Sequence, residues 1–184
     1  MTSHRQNGNP AAGPSVGFFG PFGTFTEQAL RTQEDLVGGD VIAFRTVPDV
    51  LDAVTHGDID LGFVPIENST EGMVNFTLDA LAFDHDLVIL REVELDIHMC
   101  LAARPGTALT DITEVWSIPV ATAQCHRFLR EHLPDAEIRV AASTAGAAEV
   151  VGRDAGPGSA AIAPQVAAER YGLEVLADNI EDHE

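Results

Sequence analysis

The chain has 184 residues, 45% hydrophobic and 6% aromatic, enough to bury a core as one domain or two small lobes and too apolar for a disordered chain. Its 29 acidic residues against 10 basic ones give a formal charge of -19, which excludes nucleic acid and anionic membranes as partners and leaves surface solvation as the purpose of the charge. All ten basic residues are Arg, so neither Schiff-base chemistry nor the phosphate-binding lysine of a nucleotide loop is available.

Met1 to Pro14 is rich in Asn, Gly and Pro with no apolar core. It is expected to be a loose tail, neither signal peptide nor anchor, and with no apolar run of about 18 residues the expected location is the cytoplasm. Val16 to Phe19 is a first strand, broken by Gly20-Pro21-Phe22-Gly23. Thr24 is placed to cap a helix through Glu27, Ala29 and Leu30 that ends near Gly38-Gly39. Val41 to Phe44 makes a second strand. Thr46 and Pro48 then open a helix with Val47, Val50, Leu51 and Val54 at helical spacing, closed by Gly57. Asp58-Ile59-Asp60 lacks further ligands at regular spacing and reads as a solvated turn, not a metal site.

Leu61 to Ile66 is a short apolar run that fits a buried strand of a parallel sheet, and it stops abruptly at the polar loop Glu67-Asn68-Ser69-Thr70-Glu71-Gly72. Small donors and acceptors at the carboxyl end of a strand stand where open α/β sheets bind ligands. Leu78, Leu81 and Ala82 suggest a short helix, and Leu87 to Ala102 is an apolar segment too long for one typical strand, read as a crossing between two lobes. Val115 to Ile118 is a strand. Pro119 opens a helix with Ala123, Phe128 and Leu129 toward the core, stopped by Pro134. Ile138 to Ala141 is a strand leading to Ser143-Thr144 and an alanine-rich helix through Ala145, Ala148 and Val151. Ala160 to Ala163, a helix from Pro164 to Tyr171, and Leu173 to Ile180 crossing back complete the pattern. Alternating strands and helices joined by two crossings predict an α/β chain of two lobes, each a mostly parallel sheet with helices on both faces, around a cleft. Cys100 and Cys125 stand far apart in apolar or helical settings and are expected to be reduced and buried.

Three junctions share one design: Gly23-Thr24, Asn68-Ser69 and Ser143-Thr144 each set small polar groups at or near a helix start. Free amides and the positive end of the helix dipole hold anions there without a formal cation, or the hydroxyls simply cap their own helices.

At these residues the chain resembles the prephenate dehydratase family. Gly20-Pro21-Phe22-Gly23-Thr24-Phe25-Thr26 is similar to its first glycine motif, and Val64-Pro65-Ile66-Glu67-Asn68-Ser69-Thr70-Glu71-Gly72 to its most distinctive one. Ala123-Gln124-Cys125 before Phe128-Leu129, then Ser143-Thr144-Ala145, Ala160-Ala161-Ile162-Ala163 and Tyr171-Gly172-Leu173 follow in the family's order. The resemblance, over about residues 16 to 182, implies a two-lobed fold like that of type 2 periplasmic binding proteins. Lobe I would hold about residues 15–90 plus 174–184 and lobe II about 97–172. It implies a cytoplasmic lyase of phenylalanine biosynthesis that converts prephenate to phenylpyruvate by decarboxylating dehydration, a small-molecule substrate, no metal or organic cofactor, and a homo-oligomer, dimer or tetramer. Gly23, Thr24, Asn68, Ser69, Gln124, Ser143 and Thr144 would bind substrate, with Ser69 and Glu67 as the catalytic candidates within the chain.

Two features depart from the family. Its Ser-His-Pro-Gln stands here as Ser117-Ile118-Pro119-Val120, so that His and Gln do not carry over. Its Asn-x-Thr-Arg-Phe, whose Thr is the key catalytic residue, and the regulatory ACT domain would both lie beyond Glu184, so the 184-residue chain is expected to be impaired. The alternatives are a non-catalytic two-lobed module for an aromatic or dicarboxylate ligand, arogenate as the substrate, and a structural domain whose loops only cap helices.

Overall fold

The computed structural model describes residues 13–69 and 72–182. The described chain divides into two compact units, one holding residues up to Pro21 together with Thr26–Val93, the other Phe22–Phe25 with the chain from Glu94 onward.

The first unit is built on three parallel strands in the order β2-β1-β3: β1 (Val16–Phe19), β2 (Val41–Phe44) and β3 (Leu61–Phe63). Helix α1 (Phe25–Arg31) follows β1. It stops well before Gly38-Gly39 because Thr32 and Gln33 donate to carbonyls three residues back, at Ala29 and Leu30, which tightens the helix into turns. Helix α2 (Val47–His56) starts as the sequence predicts, with Thr46 accepting from the Asp49 N–H at 3.2 Å and Gly57 closing it in the left-handed conformation. Its Val47, Val50, Leu51 and Ala53 are buried against Phe19, Phe44, Ile59 and Val64. Helix and sheet approach closely over Gly62, where a Cβ would lie 3.0 Å from Val50 Cγ1 and 3.1 Å from Val54 Cγ2. Asp60 accepts from the Ser15 N–H at 2.8 Å and hydroxyl at 2.7 Å, bonds that hold its carboxyl below the usual range and give it a structural tether.

The strand expected over Leu61 to Ile66 ends at Phe63, since Pro65 has no N–H to give a ladder. The polar stretch after it is not one open loop: β4 (Glu67–Asn68) pairs antiparallel with β5 (Gly72–Met73) as a hairpin. Thr70 and Glu71 lie outside the described residues. Helix α3 (Asn75–Asp79) runs on into a wider turn over Ala80–Asp84. Of the long segment Leu87 to Ala102, only its end joins a ladder, in β6 (Cys100–Ala103), and the two units divide between Val93 and Glu94.

The second unit carries a five-stranded sheet in the order β10-β6-β9-β7-β8, where β7 is Glu114–Ser117, β8 Glu137–Val140, β9 Ser159–Ala163 and β10 Glu174–Ala177. It is mixed where a mostly parallel sheet was expected: β7 runs parallel to β8 and β9, whereas β6 is antiparallel to both β9 and β10. The period of two in β6 and β9 sorts their side chains to two helical layers. Leu101, Ala103, Ala160 and Ile162 meet α4 (Pro119–Gln124) and α5 (His126–His132) through Ala121, Cys125, Leu129 and Leu133. Cys100, Ala102, Ala161 and Ala163 meet α6 (Thr144–Arg153) and α7 (Gln165–Arg170) through Ala145, Ala148, Val151, Ala167 and Ala168.

Three local expectations change here. The helix from Pro119 breaks at Cys125, whose φ of -109° and ψ of 20° leave the helical region. Ala123 is exposed, and Ala121 and Cys125 take the core positions. The returning segment, placed in the first lobe by its sequence, belongs to this sheet: Val175 stands opposite Ala102, and the Ile180 N–H donates to the Met99 carbonyl at 3.0 Å. Burial of Ile180 in the α4/α5 layer is what draws the segment to β6.

Candidate functional site

β7, β8 and β9 end at Ser117, Val140 and Ala163, and the loops that leave these carboxyl ends open α4, α6 and α7. The most complete helix start is that of α6. Ser143 is its N-cap, in extended conformation, accepting from the Gly146 N–H at 2.9 Å. Thr144 is buried, and by helix geometry the N–H groups of Thr144 and Ala145 have no acceptor within α6. The far end of α6 is closed by Arg104, whose guanidinium donates to the Val151 and Ala155 carbonyls at 3.0 and 2.7 Å. The start of α6 is thus a side-chain-capped helix start, and its far end meets a guanidinium.

Gly23 packs on this same start. It is buried with φ of 90°, and a Cβ would lie 3.3 Å from Ala145 Cβ and 3.4 Å from Ala167. Phe22 beside it lies under the Arg170 guanidinium, 4.6 Å from the ring centroid. Two of the predicted junctions, Gly23-Thr24 and Ser143-Thr144, therefore come together on the second unit, with Thr24 directly before α1. Gln124 is the last residue of α4, and its carbonyl accepts the Asp182 N–H at 2.6 Å.

The third junction is on the first unit. Glu67 and Asn68 form the outgoing arm of the hairpin, Ser69 stands at its turn, and all three are exposed. The hairpin is anchored from below: the buried Thr77 hydroxyl donates to the Pro65 carbonyl at 2.6 Å, and the Val74 N–H to the Ile66 carbonyl at 2.9 Å. This fixes where Glu67, Asn68 and Ser69 project from the first unit.

Both cysteines are buried and free, and burial first of all pushes each thiol up to about 12, so neither supplies a thiolate. Among the described residues no three His, Cys, Asp or Glu side chains gather to hold a metal. One polar cluster escaped the sequence reading. The Glu181 carboxylate accepts from His98 Nδ1 at 2.8 Å and the Met99 N–H at 2.8 Å, while Asp182 accepts from the Arg127 N–H at 3.0 Å. Burial alone would raise the Glu181 carboxyl, but the Met99 amide and His98 outweigh it and hold it low, and His98 is raised chiefly by its bond to Glu181. Its members are up to 83 residues apart, so no local motif announces it. His126 and His132 lie exposed on α5, His132 tilted against Phe128 at 4.7 Å, as surface residues.

The family model for prephenate dehydratase matches residues 16–184. The chain belongs to the prephenate dehydratase family. A prephenate dehydratase of Mycolicibacterium vanbaalenii is 43% identical over 182 residues, covering 92% of this chain and 58% of that protein. The solved prephenate dehydratase of Arthrobacter aurescens, in complex with L-Phe, superimposes with a TM-score of 0.84 at 40% identity, over 92% of this chain and 56% of that one. A structure described as a novel type of quorum quenching acylase matches at a TM-score of 0.81 and 32% identity, over 91% and 60% of the two chains. The chain thus spans a little over half the length of the relatives it matches. Among the described residues no helix is long and apolar enough to cross a membrane.

Proposed function

We propose that this chain carries the catalytic domain of a prephenate dehydratase, which binds prephenate through Gly23, Thr24, Asn68, Ser69, Gln124, Ser143 and Thr144 and converts it to phenylpyruvate. The observation that carries the reading is the capped start of α6 with Gly23 packed on its first turn, within the residues that the family model matches. In the reaction, the bond from the ring to its carboxylate breaks with release of carbon dioxide, its electrons complete the aromatic ring, and the ring hydroxyl leaves as water on taking a proton. The protein has to orient the dianion and assist the departing hydroxyl, tasks that suit positioned amides and hydroxyls. Ser69 and Glu67 are the candidates within this chain for the assisting group. We further propose that the two units act as the two lobes of one binding domain and that the enzyme is a cytoplasmic homo-oligomer.

The likeness to the acylase suggests amide hydrolysis as a second reading. The buried, high-pKa thiols of Cys100 and Cys125 argue against a cysteine nucleophile for it. Incubation with prephenate, followed by the absorbance of phenylpyruvate in alkali against the uncatalysed background, tests the proposal. Turnover above background supports it. A thermal shift with prephenate but no product would turn the reading to a binding module, and the absence of both would refute it.

A further inference from the structure

The outermost strand of the second unit, β8, has the sequence Glu137-Ile138-Arg139-Val140, and all four residues are exposed. Toward β7 it is fully engaged: the Glu137 N–H donates to the Thr113 carbonyl and the Ala141 N–H to the Ser117 carbonyl, each at 2.9 Å. Alternate residues of a strand face alternate neighbours, so the N–H and C=O groups of Ile138 and Val140 point away from β7, over the open edge. Such a row is a template for another strand, which natural edges limit by short length, charged side chains, Pro or a bulge; β8 is four residues long with charges at Glu137 and Arg139, so any partner strand has to match those charges. Here the side chains on the α5 side are apolar, with Ile138 45% and Val140 68% exposed. Beside them runs an open groove of about 390 Å³ lined by Leu129, Arg130, Leu133, Pro134, Ala136 and Ile138.

We infer that this edge pairs with the same edge of a second copy of the chain, β8 against β8 antiparallel about a two-fold axis through Ile138, joining two five-stranded sheets into one of ten. The charge pattern selects this occupant and this register. With the axis at Ile138, the two Ile138 residues form a hydrogen-bonded pair through groups that already point outward. Glu137 then faces the partner's Arg139, and Arg139 the partner's Glu137, as non-hydrogen-bonded pairs, where opposed side chains come closest. An axis at Arg139 would set two guanidinium groups against each other, and one at Val140 would oppose neither charge. Within the chain Arg139 already bonds to Glu137 at 2.9 Å and to Glu114 at 3.3 Å, which keeps its guanidinium on the face where the partner's Glu137 would lie. The Ile138 pair would fall on the opposite face, beside the groove. The inference gives the homo-oligomer proposed above its surface, and it rests on the chemistry of the strand rather than on the dehydratase reading.

Sedimentation velocity of the full chain at about 0.15 M salt, where charges beyond about 8 Å are screened, is the test. Wild type should be a dimer that dissociates on dilution. Glu137→Arg and Arg139→Glu each place like charges opposite one another twice across the axis, and each should weaken the dimer about tenfold or more. Mixed in equal amounts, the two variants should regain dimer, because every charge of one chain then faces its opposite on the other. A role confined to one chain predicts no such rescue by mixing. Ile138→Pro removes an outward N–H without touching the β7 ladder and should leave folded monomer. A wild type that stays monomeric, a dimer indifferent to the single charge reversals, or variants that fail to associate when mixed would each overturn the inference. Activity is not the readout, so its failure would leave the dehydratase reading standing.

Discussion

Replacing Ser143 separates a helix cap from an anion site. Ser143→Ala removes the acceptor of the Gly146 N–H at 2.9 Å, and loss of such a cap costs about 1 kcal/mol of stability. Ser143→Asp keeps an acceptor of equal capping strength and adds a negative charge at the positive end of α6, so its stability should match or exceed wild type by about 0.3 to 1 kcal/mol. The two readings diverge on substrate. If the start of α6 receives a carboxylate of prephenate, the new carboxylate would stand about 5 Å from it. At an effective dielectric constant of about 20 that repulsion is about 3 kcal/mol, or roughly a hundredfold in affinity. Urea denaturation and the KM and kcat for prephenate would be measured on the same preparations. The expected pattern is a Ser143→Ala protein weakened in both stability and KM, and a Ser143→Asp protein that is stable yet binds prephenate poorly. A Ser143→Asp protein with wild-type stability and wild-type KM would refute the anion reading and leave Ser143 as a cap alone.

Gly23→Ala should destabilise the second unit by about 1 to 2 kcal/mol in urea, because the residue sits at φ of 90° and its Cβ would press on Ala145 at 3.3 Å. Ser69→Ala, at an exposed turn, should change stability by no more than about 0.5 kcal/mol while lowering kcat. An unchanged kcat would remove Ser69 from the site. The His98–Glu181 pair sets a pH window for stability. His98 is raised above its ordinary 6.5, so its contribution is complete below that value and fades as pH rises through the raised one. Glu181 is lowered below 4.5, so its contribution holds above that value and is lost as the protein is acidified through the lowered one. His98→Gln should flatten the alkaline limb of melting temperature against pH, from about 6.5 upward through the raised value, and an unaltered limb would assign it to other groups. Cys100 and Cys125, with thiols pushed up to about 12 by burial, should resist a disulfide-exchange reagent at pH 8 in the folded chain and react in urea. Rapid labelling of the native protein would contradict their burial.

The parts of this molecule that were legible in its sequence are those fixed by local chemistry. Thr46 and Ser143 announce their helices because a cap is a bond between near neighbours, and both accept the N–H three residues on. The alternation in Ala160-Ala161-Ile162-Ala163 was visible only as an apolar run, since a strand buried on both faces shows no polar phase. What the sequence could not display was the choice between partners far apart in the chain. Leu173 to Ile180 is as apolar as a strand of either unit. Its place was decided by the free side of β6, antiparallel to it, and by a pocket for Ile180 among Met99, Cys125 and Leu129. The Pro119 helix misled at one position for a related reason: its apolar spacing allows either Ala121 or Ala123 to face inward, and with the break at Cys125 it is Ala121 and Cys125 that enter the core, while Leu129 is buried there as expected and Phe128 packs against it. The candidate site follows the same division. Its residue types were readable because helix starts and hairpin turns need small polar groups, whereas the packing of Gly23 on Ala145 joins positions more than a hundred residues apart and becomes visible only once the sheet between them is built.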